Sequence, residues 1–147
     1  MTGVQTCALP ILPVDGSLYT KHMLSYIASH DTLLGLDNEY TALTVVTPIP
    51  ALATRYLDRD SVQAYVKDEA EKTLEPVRAF GALHSWNLHT THVVGHAAEA
   101  IVRYAETQKP DLIVMGSHGH MSLANVVLGS VVNGVLAGCK IPVLLIR

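Results

Sequence analysis

The run Asp111-Leu112-Ile113-Val114-Met115-Gly116-Ser117-His118-Gly119, followed after nine residues by Gly129-Ser130-Val131, decides the fold of this chain. Its first five residues, an aspartate and the apolar Leu112 to Met115, are closed by glycine, the pattern of a short buried strand. Residues 131–139 read as a helix, so the glycine loop joins the carboxyl end of a strand to the amino end of a helix. Anions bind at such junctions, because the first N–H groups of a helix lack partners and its dipole favours negative charge. Glycines permit the turns and the close approach that converge several N–H groups on one phosphate. Ser130 adds a hydroxyl that can cap the helix or donate to a phosphate. This is not a Walker loop, which needs Gly-Lys followed by Ser or Thr; no Lys or Arg occurs between Asp111 and Cys139. Phosphate charge must then be met by backbone dipoles, by a divalent metal carried with a nucleotide, and by His118 or His120.

Outward from this loop the chain alternates strand and helix. Residues 12–14 end a first strand, and Asp15-Gly16-Ser17 is a turn with a helix cap. Met23, Tyr26 and Ile27 form one apolar face of a first helix. Residues 41–47 (TALTVVT) are a second strand, closed by Pro48 and Pro50. A long helix from about Asp58 turns Val62, Tyr65, Val66, Leu74 and Val77 inward, with a kink expected at Pro76. Residues 89–94 are a third strand ending at Gly95, residues 97–108 a helix, and Pro142-Val143-Leu144-Leu145-Ile146 the last strand. This alternation predicts one α/β domain, an open parallel sheet with helices on both faces. Ligands of such sheets sit at the carboxyl ends of the strands, where the strand order reverses. In the order 2-1-3-4-5 or its relative 3-2-1-4-5, the reversal lies beside strand one, so Asp15 and Gly116 would face one crevice.

Composition narrows the function classes. The chain has 147 residues, enough for one domain with a substantial core but not for a second, substrate-binding domain. A hydrophobic fraction of 49% and a mean hydropathy of +0.28 suit either a sheet buried on both faces or a membrane segment. Residues 123–146 are the stretch to test, since Lys140 is their only charge and Gly134 and Gly138 make a GxxxG spacing. Asn125, Ser130 and Asn133 interrupt it, and Gly138, Lys140 and Pro142 divide it into a helix and a strand. No membrane span is expected. A net charge of −3 gives no basic footprint for nucleic acid. Two cysteines, Cys7 and Cys139, imply no disulfide framework and fit a reducing, cytoplasmic compartment.

The residues Pro13-Val14-Asp15-Gly16-Ser17, Gly95 before an amphipathic helix, DLIVMGSHGH, the later GSV and the terminal PVLLIR closely resemble the universal stress proteins. The resemblance covers residues 12–147, and the G-x2-G-x9-G-S motif is that of the ATP-binding subfamily. It implies a five-stranded parallel sheet ordered 3-2-1-4-5, a homodimer formed through residues 142–146, and a bound adenine nucleotide, ATP with Mg2+. Residue by residue, it implies Pro13, Asp15 and the backbone of Val46 at the adenine and ribose end. Met115, Gly116, His118, Gly119, Gly129, Ser130 and Val131 would hold the ribose and phosphates. One departure is Val132, where nucleotide binders of the family often carry Ser or Thr. Residues 1–11 (MTGVQTCALPI) differ from the rest and resemble the conceptual translation of a sequencing adapter. They are set aside as a non-native leader, the alternative being a genuine but irregular one.

Other constellations point to no chemistry. His84, His89, His92 and His96 suggest a metal, but on a strand His89 and His92 face opposite ways, and no Cys or acidic ligand completes a tetrahedral set. Cys139 and Trp86 read as packing residues. ATP hydrolysis needs a placed water and a base, and no base is evident, so no catalytic residue is assigned. The reading favoured is an ATP-binding stress-response or signalling module with at most slow ATPase activity. The alternatives are the same fold acting through dimer and partner contacts without nucleotide, and an ATP-hydrolysing or phosphotransfer enzyme.

Overall fold

A computed structural model of the chain describes residues 9–30, 34, 37–118 and 128–147. The expectations placed on residues 1–8, Gly119, His120, Ser122 and Asn125 lie outside the described residues. In chain order the elements are β1 (Pro10–Pro13), α1 (Leu18–Ser29), β2 (Glu39–Val46), α2 (Ala51–Thr54), α3 (Arg59–Leu83), β3 (Asn87–Val94), α4 (Ala97–Gln108), β4 (Leu112–Gly116), α5 (Ser130–Gly138) and β5 (Val143–Ile146). The strands form one five-stranded sheet ordered β3-β2-β1-β4-β5, every neighbouring pair parallel. The order is the 3-2-1-4-5 arrangement expected.

β1 is central yet carries two prolines, which cannot donate to a ladder. They sit at its two ends. Ile11 and Leu12 between them pair with Thr41 and Ala42 of β2, Ile11 also faces Ile113 of β4, and the Val14 N–H continues the ladder to the Leu43 carbonyl at 2.9 Å. β2 and β3 each begin two residues before the expected start. The short α2 was not anticipated; it opens after Pro50, at its N-cap.

Alternation along each strand sends side chains to two cores. Leu12, Val14, Tyr40, Ala42, Val46 and Val114 meet Met23, Leu24 and Ile27 of α1 and Ala70, Leu74 and Val77 of α3. On the other face Ile11, Leu43, Ile113 and Met115 meet Ile101 and Ala105 of α4 and Val132 and Val135 of α5. The helices thus cover both faces, as a parallel sheet requires. Trp86 packs against the first of these cores, its ring 5.2 Å from Tyr40 and 5.5 Å from Phe80.

α3 starts at the Asp58 cap, whose Oδ1 accepts the Ser61 N–H at 2.6 Å, and runs through Pro76 as one helix. Tyr65 was expected inward but is 46% exposed. The buried face steps through Val66, Ala70, Leu74 and Val77 at spacings of four and three. Tyr65, one residue before Val66, is turned about 100° off that stripe.

The apolar carboxyl-terminal run resolves into α5 and β5. Its GxxxG spacing serves helix packing inside the chain: a Cβ at Gly134 would lie 2.5 Å from that of Ala98, and one at Gly138 would lie 3.1 Å from Val102. α4 and α5 therefore pack closely over the sheet. Among the described residues no helix is long and apolar enough to cross a membrane.

Candidate functional site

The strand order reverses between β1 and β4, since β1 leads through α1 to β2 on one side while β4 and β5 lie on the other. A cavity of about 380 Å³ opens there, at the carboxyl ends of the strands. That volume lies within the range of small-molecule sites, roughly 300–1,000 Å³. Six segments line it: the end of β1 with its turn, the first turn of α1, the end of β2, the end of β4, and the amino ends of α4 and α5.

On the β1 side, Pro13, Val14 and Asp15 reach the cavity. The chain reverses at Gly16 with φ +77°, a conformation open to glycine at no steric cost. Asp15 is exposed but held: its Oδ1 accepts the Ser17 N–H at 2.9 Å and the Thr20 hydroxyl at 2.9 Å. Its own N–H donates to Thr20 Oγ1 at 3.1 Å. Thr20 also lines the cavity.

On the β4 side, Met115, Gly116 and His118 line the cavity with Gly129, Ser130 and Val131. The Ser117 N–H donates to the Ile146 carbonyl at 2.9 Å, and the Ser117 carbonyl accepts the Gly129 N–H at 2.8 Å. Two strand ends and the start of α5 are thereby tied together. The Gly129 amide is engaged in this tie, so the amides facing an anion are those of the first turn of α5. Ser130, Val131 and Val132 have no intrahelical acceptors, while the Asn133 N–H closes the first turn on the Gly129 carbonyl at 3.1 Å. Ser130 is exposed, and α5 has no side-chain cap, so the serine hydroxyl remains at the mouth of the site. His118 shares a 2.9 Å hydrogen bond between its Nδ1 and Ser117 Oγ, and its ring lies 5.0 Å from that of Tyr19.

Eight of the ten residues expected from the sequence therefore line one cavity: Pro13, Asp15, Met115, Gly116, His118, Gly129, Ser130 and Val131. Gly119 is outside the described residues. Val46 does not line the cavity; its side chain is buried on the α1 and α3 face, and its carbonyl accepts the Gly95 N–H at 3.1 Å. Its neighbours Val45 and Thr47 line the cavity instead, with Leu43. Sequence reading missed these, along with Thr20, Ala97 and Ile101. Period-two alternation from Leu43 and the i, i+4 spacing of Ala97 and Ile101 were the signals that could have found them. Val132, in place of a hydroxyl residue, lines the cavity and is buried in the α4 and α5 core.

Among the described residues no Lys or Arg lines the cavity, and Asp15 is the one carboxylate in its wall. Among the described residues no group of three or more His, Cys, Asp and Glu could hold a metal ion. His89 pairs instead with Glu39, Nε2 to Oε1, at 2.7 Å. Cys139 is half-buried against the α4 and α5 core, and is the one cysteine among the described residues.

The fold and the site define a doubly wound α/β domain with a cavity at its switch point. Residues 11–147 match the universal stress protein family, and the chain belongs to that family. It is 32% identical over 143 residues to a universal stress protein of Synechocystis sp., an alignment covering 97% of this chain and 44% of the relative. It is 29% identical over 142 residues to the Methanocaldococcus jannaschii universal stress protein MJ0531, covering 93% and 80%. The chain thus spans less than half the length of the Synechocystis protein. Among solved structures, that of MJ0577 from M. jannaschii superposes with a TM-score of 0.77 at 26% identity over 96% of each chain. The universal stress protein of Archaeoglobus fulgidus in complex with dAMP shares the fold, with a TM-score of 0.66 at 20% identity over 95% of this chain and 98% of that one.

Proposed function

We propose that this protein binds an adenine nucleotide in the switch-point cavity, ATP with Mg2+ among its ligands, and acts as a cytoplasmic nucleotide-dependent stress-response or signalling module with at most slow ATPase activity. The observation that carries the reading is the convergence, on one cavity, of the Asp15 turn, the Met115-Gly116 strand end and the open first turn of α5. The α5 amides offer a phosphate the donors that a helix start provides. The apolar wall of Leu43, Val45 and Ile101 suits a base, and the Asp15 carboxylate is an acceptor for its amino group or for a ribose hydroxyl. The dAMP held by the A. fulgidus relative supports the class of ligand. Val132 gives the phosphate end one hydroxyl fewer than the family pattern.

The test is nucleotide analysis. Purified protein, denatured and examined by mass spectrometry, should release an adenine nucleotide, and the folded protein should gain thermal stability with Mg-ATP. Absence of both would overturn the proposal.

A further inference from the structure

We propose that Thr20 is the positioning residue of this site, fixing Asp15 in the orientation that meets the ligand; the inference rests on the nucleotide reading above. Asp15 stands on an exposed turn beside Gly16, at φ +77°, where neither packing nor backbone stiffness would fix a short carboxylate. Three hydrogen bonds within the turn and the start of α1 hold it. The bond from the Ser17 N–H, at 2.9 Å, is a local turn that aspartate makes by itself at such positions. The other two both belong to the Thr20 hydroxyl, which accepts from the Asp15 N–H at 3.1 Å and donates to Asp15 Oδ1 at 2.9 Å. Main chain and side chain of the same residue are thus locked by one oxygen.

Only a group that donates and accepts can close this pair. A hydroxyl does so, and a methyl of the same size does not. A helical threonine ordinarily turns its hydroxyl back to the carbonyl three or four residues earlier. This one is turned to the residue five earlier, outside the helix. The side chain is buried, at 6% exposure, and a β-branched residue in a helix has few χ1 choices, so the oxygen is held in place before any ligand arrives. Thr20 also lines the cavity, so the lock sits in the wall of the site and not behind it.

The experiment is calorimetric titration of the full chain with AMP and with Mg-ATP, using Thr20→Val, Thr20→Ser, Asp15→Ala and the Thr20→Val/Asp15→Ala double variant. Thr20→Val should bind about tenfold more weakly than wild type, the loss expected for hydrogen bonds to a charged group. Thr20→Ser, which keeps the hydroxyl, should stay within about threefold of wild type. The double variant should bind no more weakly than Asp15→Ala alone, because a residue acting through Asp15 has nothing left to act on. In ligand-free protein, amide exchange at Asp15 should quicken in Thr20→Val and be restored in Thr20→Ser. Wild-type affinity in Thr20→Val, or a loss that adds in full to that of Asp15→Ala, would overturn the proposal while leaving the nucleotide site standing. Wild-type protein that binds neither nucleotide would remove the site itself, and the role of Thr20 with it.

Discussion

Gly116 lies against the backbone of Tyr19: a Cβ at position 116 would come within 2.7 Å of the Tyr19 Cβ and 3.1 Å of the Tyr19 carbonyl oxygen. The last residue of β4 is therefore where α1 is seated on the sheet. The same residue lines the cavity, and the Tyr19 ring packs on His118. Gly116→Ala should push the first turn of α1 outward and carry the Asp15 turn with it. Overpacking of this kind costs about 1–3 kcal/mol. Urea denaturation should show that loss, with nucleotide affinity falling in step. Unchanged midpoint and affinity would mean that α1 yields freely at this contact.

Among the described residues no Lys or Arg lines the cavity to meet phosphate charge. ATP carries about two more negative charges than AMP, and Mg2+ bound to its phosphates offsets them. Chelation of Mg2+ should therefore weaken ATP binding by roughly tenfold or more while leaving AMP binding within about twofold. Titrations with each nucleotide, with and without EDTA, would decide the point. Equal sensitivity of both nucleotides would place the neutralising charge in the protein.

Glu71 and Arg78 form an ion pair at 3.1 Å on α3, and Arg78 also donates to Thr90 Oγ1 at 3.0 Å on β3. The Arg78 hydrogen bond holds the Glu71 carboxyl below its ordinary pKa, and the Ser61 amide does the same for Asp58. A carboxyl whose pKa is depressed on folding contributes stability that is present above its unfolded pKa and is lost as the pH falls through the folded value. Thermal midpoints should thus decline from about pH 5 downward, and the decline should be shallower in Glu71→Gln. Both groups are solvent-exposed, so the difference at neutral pH should be small and should fade in high salt. A Glu71→Gln profile parallel to wild type on the acid side would remove the pair from the account.

How much of this could be read from residues is itself physical. The strands, the start of the long helix near Asp58 and the helix of residues 97–108 announce themselves through apolar period and turn residues. These are local signals. Gly116 and Asp15 were legible for the same reason, each lying at a strand end. What lay hidden depends on which face a strand turns inward and on what lies across the sheet. Val46 was expected at the site through its backbone; its side chain points to the α1 and α3 core, and the side chains of Val45 and Thr47 lie in the wall. Thr20 has the look of an ordinary helical residue until the turn brings Asp15 back over it. Tyr65 is apolar and near the inward stripe, and one residue of offset is enough to expose it.

The edge of the sheet at β5 sets the last prediction. Among the described residues β5 pairs with β4 alone. The carbonyls of Pro142 and Ile146 accept the amides of Ile113 and Ser117 on the β4 side, both at 2.9 Å. Main-chain groups alternate in direction along a strand, so those of Val143 and Leu145 point away from β4, to the open edge. Exposed edges of this kind recruit another strand unless they are blocked, and a second copy of this chain is the occupant that the homodimer reading supplies. Proline is tolerated where the N–H it removes faces outward. Val143→Pro should therefore keep the circular dichroism of the folded protein while shifting sedimentation equilibrium from dimer toward monomer. Wild-type protein that sediments as a monomer at every concentration, or a Val143→Pro variant that dimerises as tightly as wild type, would move any dimer contact away from this edge.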